Sequence, residues 1–183
     1  MALPASYDLE LYRGDDFDIT FGLVEVGGRV VDDLVLTSGS TSATSATASF
    51  VSADVGKKIV THNEVGITDS CTISSVSSSS VVTLSQSATS SGNFAASIRA
   101  LDCSAYTSPS ADIRPTADGS ETETFTFDST RSDVGIFVMS MTDTETAALS
   151  AGSYVWDWQI TDADSKVRTL LRGACTIVAD VTR

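Results

Sequence analysis

The stretch YVWDWQI (154–160) sorts its side chains with a period of two. Tyr154, Trp156, Trp158 and Ile160 fall on one side; Val155, Asp157 and Gln159 fall on the other. That is the period of a β-strand with one buried face. Alternation of this kind, or short β-branched runs, recurs along the 183 residues, whereas a helical period is almost absent. The pattern excludes helical bundles and predicts an all-β chain.

Further strands follow from the same reading. YDLELY and DFDITFGLVEV read as strands, with Gly27-Gly28 as a turn after them. TFTFDS and IFVMSM read as a pair around the turn TRSDVG. SKVRTLLRGACTIVADV reads as two strand segments interrupted at Gly173 by a bulge or bend. One short helix is expected in TDTETAAL: Thr142 and Glu145 have the spacing of a capping box, and Gly152 is the expected stop.

Composition divides the chain. Between Leu34 and Ala100 about two residues in five are Ser or Thr, proline is absent, and Phe50 and Phe94 are the two aromatics. Three acidic and three basic side chains cancel there, so the remaining residues carry the whole net charge of −13. Two units with different surfaces are expected. Within the middle stretch, TSGSTSATSATAS (37–49) reads as a loose leading loop. KKIVTH, DSCTISSV, VVTLSQ and FAASIRA then read as the strands of a small β module.

The same numbers bound function. An acidic chain repels phosphate backbones, so no nucleic-acid partner is expected. No apolar run approaches the ~20 residues that cross a bilayer, so no membrane partner is expected. MALPASYDLEL has no basic start and no long apolar core, so a cytoplasmic origin is expected. Cys71, Cys103 and Cys175 form no C-x-x-C pair and read as small buried hydrophobes.

Candidate chemistry is thin. His62, the sole histidine, sits in THNE among polar residues and reads as a solvated loop residue. Asp15, Asp16 and Asp18, and the pair Asp162 and Asp164, read as solvated turn carboxylates without the loop of a calcium site. The overlapping triplets Arg13-Gly14-Asp15 and Gly14-Asp15-Asp16 resemble an adhesion signal and a polymerase metal motif. The plainer reading is a glycine turning a strand corner between Tyr12 and Phe17, with aspartates facing water or bonding nearby amides. No catalytic residue, cofactor-binding residue or metal ligand is assigned.

GRVVD (28–32), LDCSAYTSPSADIR (101–114), TDTETAALSAGSYVWD (142–157) and DADSKVRTLLRGACTIVADV (162–181) carry a resemblance. Together with the RGDD corner, they resemble small phage virion proteins and the N-terminal immunoglobulin-like domain of phage upper baseplate proteins. The resemblance spans roughly residues 6–33 and 101–183. It implies an immunoglobulin-like β-sandwich made of residues 1–33 and 101–183, interrupted by an inserted all-β module at 34–100. That insert resembles β modules of phage tail spikes and fibres through FVSADVGKKI (50–59) and TISSVSSSSVVTLS (72–85), which makes Phe50, Val55 and Ile59 expected core.

The function so implied is a non-enzymatic virion structural protein, assembled in the host cytoplasm and located in the virion. Its expected partners are other virion proteins of tail, baseplate or capsid, and further copies of itself. Tail or baseplate placement, as a fibre anchor, competes with decoration of the capsid surface. A carbohydrate-binding module meeting a host-surface glycan is the alternative of another class, and a depolymerase fragment is the weakest, for want of an acid–base constellation.

Overall fold

The computed structural model of the chain describes residues 4–63 and 65–180. Strand accounts for 53% and helix for 7%, in curled sheets of sandwich type, so the chain is all-β. Contacts group the described residues into two units. The first takes 4–19, 104–129 and 138–180; the second takes 20–103 and 130–137.

The strands of the first unit's main sheet are β1 (Ala5–Ser6), β2 (Leu9–Tyr12), β10 (Thr107–Arg114), β11 (Glu123–Thr124), β14 (Gly152–Thr161) and β15 (Val167–Val178). Their order is β1-β15-β14-β10-β11, with β2 also on β15. β14 and β15 form an antiparallel hairpin, while β1 and β2 run parallel to β15. The alternation in YVWDWQI is realised: Trp156, Trp158 and Ile160 are buried and Val155 is exposed. A second layer contains β12 (Thr126–Asp128), paired antiparallel with β13 (Ile136–Met141), and β3 (Phe17–Gly22) completes the order β12-β13-β3. Phe127 stacks on Trp158 at 5.4 Å between ring centroids, and Phe125 meets Trp156 edge-on at 6.3 Å. Ring pairs at these separations add to what area burial contributes.

β15 is one continuous strand across Gly173, not two segments. The register shift lies instead opposite Trp158 and Gln159, where Leu171 and Thr169 are the partners and Leu170 is the extra residue. Gly173 answers to a close approach: a Cβ there would lie 2.0 Å from the carbonyl oxygen of Tyr7.

The second unit is built on β4 (Val24–Leu36), β5 (Ser42–Thr44), β6 (Ile59–Thr61), β7 (Ile73–Ser78), β8 (Val81–Leu84) and β9 (Gly92–Ala100), in the order β6-β9-β4-β5-β8-β7. The two ends of that order meet. Lys58 bridges Thr72, the Ile59 amide donates to Cys71 O at 3.1 Å, and the Ile73 amide donates to Lys57 O at 3.0 Å. The sheet therefore curls into a small barrel with few open edges. Its interior is filled by Leu34, Leu36, Phe50, Ile59, Ile73, Val82, Leu84, Phe94 and Ile98. Each fully buried side chain of this size contributes about 2 kcal/mol.

A strap from far along the chain completes this unit. Val134 and Ile136 pack on Val60 and Ala100. Arg131 grips Asp69 with two guanidinium nitrogens and donates to the carbonyl oxygens of Thr61 and His62 at 2.9 and 2.8 Å. All of β6 is buried, with Ile59 in the barrel core and Val60 under the strap.

Several expectations are corrected here. The cut at 34 and 100 falls elsewhere because β4 runs unbroken through Asp33 and Leu34, and its ladder with β9 spans Val24↔Ala100 to Leu36↔Gly92. Composition changes at that point, but the hydrogen-bonded ladder does not. Gly27-Gly28 is not a turn between strands; it lies within β4, in the bulge between Val24 and Arg29, with Gly27 at φ +79°. The segment 37–49 is not loose. It contains β5, buries Ala43 and Ala48, and is pinned by Asp33, whose carboxylate accepts from the Ser45 and Thr47 hydroxyls and the Ala46 and Thr47 amides. Val55 is 48% exposed and leaves the core to Phe50 and Ile59.

Candidate functional site

The RGDD corner is bound up with the one α-helix among the described residues, α1 (Asp143–Ala148). The helix starts as expected: the Thr142 hydroxyl accepts the Glu145 amide, and the Glu145 carboxylate accepts the Thr142 amide at 2.7 Å. It ends at Ala148, four residues short of Gly152. Gly14, at φ +79°, turns the chain and donates its amide to Thr146 Oγ1 at 3.0 Å. Asp16 accepts the Asp143 amide at 2.9 Å, an acid at the helix start. Arg13 donates to Ala147 O at 2.8 Å, a base at its end. Both charges match the ends of the helix dipole. The triplet is structural: Arg13 and Gly14 are consumed by the helix that the corner holds.

His62 is not the solvated loop residue expected from THNE. Its Nε2 lies 3.0 Å from the Ser97 hydroxyl, in a recess of about 380 Å³ lined by Thr20, Asp32, Asn63 and Ala95. Desolvation holds the imidazole pKa below its usual value; Asp32 raises it and Arg131 lowers it further. Gly22 makes the room, since a Cβ there would lie 2.2 Å from Ser97 Oγ and 2.6 Å from His62 Nε2. The trio of Asp32, His62 and Ser97 has the residue types of a hydrolase triad. Ser97 is fully buried, so its hydroxyl meets no substrate and serves as a hydrogen-bond partner.

The most buried charge is Asp54, from the SAD of FVSADVGKKI. Its carboxylate is 0% exposed and lies 2.7 Å from Arg29 and 2.6 Å from Arg99. Burial pushes this carboxyl up; the bonds from Arg29, the Val51 amide and Arg99 outweigh it and hold the pKa down to about 2. Arg29 also lies 5.6 Å from the Phe50 ring centre. These groups tie β4, β9 and the segment before β6 together. Cys71, Cys103 and Cys175 are buried free thiols, and burial pushes Cys103 to about 11 and Cys175 to about 12. Thiols so shifted are poor nucleophiles.

Among the described residues, no three of His, Cys, Asp or Glu come together as a metal set. Asp162 is occupied in its own turn: it accepts the Asp164 and Lys166 amides and the Arg168 side chain at 2.8 Å.

A groove of about 630 Å³ lies on the outer face of the first unit's main sheet. The alternation that buries Trp156 and Trp158 turns Val155, Asp157 and Gln159 outward. Register then assembles neighbours that no single strand reveals. Ser6 pairs with Arg172, Arg172 with Asp157, and Asp157 with Asp112, giving a polar row across four strands. Asp112 binds Arg114 at 2.8 Å and accepts from Thr124 at 3.2 Å; Asp157 accepts the Gln159 amide at 2.8 Å. Sequence reasoning assigned none of these residues. The available signal was the run of outward Asp157 and Gln159 in a strand interior, but their partners on β10 and β15 depend on register.

Three quoted stretches meet at this groove: ADIR supplies Asp112 and Arg114, YVWD supplies Asp157, and LLRG supplies Arg172. Compared with known proteins, the chain matches no family model and no curated protein sequence.

Proposed function

We propose that the chain is a non-enzymatic structural protein of a bacteriophage virion, acting by protein–protein assembly at the tail or baseplate. In this reading the first unit is an immunoglobulin-like sandwich and the second a spike-type β module. One observation carries it. Most of the separated stretches by which the sequence resembles phage virion proteins meet in the first unit, where the RGDD corner holds α1 and ADIR, YVWD and LLRG lie on adjacent strands, while GRVVD lies in β4 of the second. Residues scattered in an outline match need not meet unless the outline describes a fold. The chain's sheets of sandwich type are compatible with that fold, and the buried Ser97 and tied carboxylates leave assembly as the plainer role.

The test is immunogold labelling of purified particles with antibody raised against the protein. Label at the tail tip or baseplate is the expected result. Label spread over the head moves the protein to capsid decoration, and particles without label or peptide overturn the virion reading.

A further inference from the structure

The geometry points to the groove on the first unit's main sheet as a binding site for an uncharged saccharide. The inference rests on the groove alone and stands or falls separately from a virion role.

Charge comes first. The described residues of the first unit hold sixteen acidic and five basic side chains, a balance of −11. The groove departs from that balance: Asp112 and Asp157 face Arg114 and Arg172, two against two. A nucleic acid would need an excess of cations, and a basic peptide an excess of carboxylates. A ligand without net charge fits a neutral lining.

Hydrogen-bonding capacity comes next. Arg114 is committed to Asp112 and to Gly119 O at 3.0 Å. Arg172 is exposed and forms no ion pair among the described residues, so its guanidinium offers donors. Asp157 has one carboxylate oxygen engaged by Gln159, which leaves the other to accept. Planar donors and acceptors therefore stand side by side, one strand spacing or about 5 Å apart. Hydroxyl groups, each both donor and acceptor, are the complement of such a lining. A pyranose spans that step between heads.

A peptide would bind differently. Extended chains add to open sheet edges through main-chain bonds. These side chains stand on the face of β10, β14 and β15, whose main chains are already paired with one another. The volume falls within the range of small-ligand sites.

The test uses the full chain, with nitrogen-15 side-chain resonances of Gln159 and Arg172 followed during titration. The probes are maltotriose, cellotriose, mannotriose and N-acetylchitotriose, each alone. At least one is expected to shift those resonances, with affinity falling about tenfold or more in Arg172→Ala. Lys166→Ala, in the turn beyond the groove, is expected to bind as the parent does. If no probe moves the resonances, the proposal is overturned. Binding that Arg172→Ala leaves unchanged overturns it equally.

Discussion

Gly173 passes so close beneath Tyr7 that a Cβ on it would sit 2.0 Å from the Tyr7 carbonyl oxygen. The same oxygen accepts the Trp156 indole N–H at 2.8 Å, and the Tyr7 amide donates to Arg172 O at 3.0 Å. Gly173→Ala therefore displaces the N-terminal strand and breaks the indole bond. The expected loss is about 3 kcal/mol. Urea unfolding measures it, and the Trp156 indole proton resonance should move with it.

Thr146 is fully buried and links the RGDD corner to α1. Its hydroxyl accepts the Gly14 amide and lies 2.8 Å from Asp15 O. Thr146→Val keeps the shape and strands both groups. A cost of about 1–3 kcal/mol is expected, seen in chemical denaturation, with faster hydrogen exchange at the Gly14 amide.

Asp54 holds two arginines inside the second unit. Asp54→Asn leaves them without a charge partner, and a loss of about 3–5 kcal/mol is expected. Acid acts on the same group. Its folded pKa is depressed from 3.8 to about 2, so its contribution is complete above pH 3.8 and is lost as pH falls toward 2. The parent should lose stability in that window, and the Asn variant should show a shallower fall there.

His62 carries the opposite charge logic. Its folded pKa lies below the ordinary 6.5 because burial disfavours the cation. The unfolded chain then binds more protons near pH 6, so the residue's contribution is full above 6.5 and falls as acid titrates the imidazole. Gly22→Ala pushes on Ser97 and His62 and should move the ring toward water. An NMR titration of the His62 ring proton is expected to give a pKa under 6.5 in the parent and a higher one in the variant.

Period-two alternation made the core face of β14 readable, and the Thr142–Glu145 spacing made α1 readable, because both signals are local. Gly27-Gly28 misled because two glycines serve a bulge as well as a turn, and only the Arg29↔Ile98 register separates the cases. His62 looked wet among polar neighbours in sequence; its burial comes from Thr20, Gly22 and Ala95, residues distant along the chain. The groove was hidden for a related reason. Arg172, Asp157 and Asp112 become neighbours through strand pairing, which alternation cannot supply.

The pairing of Ala5 with Leu171 and the strap at 130–137 bear on the order in which the chain folds as it is made. The barrel's strands are all synthesised by Ala100, yet Val60 stays uncovered until Val134 and Ile136 emerge. The first unit waits longer, since β1 and β2 have no sheet to join before β15 exists. Contacts this distant in sequence slow folding. The strands in Ala5–Tyr12 thus stay unpaired until β15 is made, and a chain stalled before Val167 presents them to other molecules.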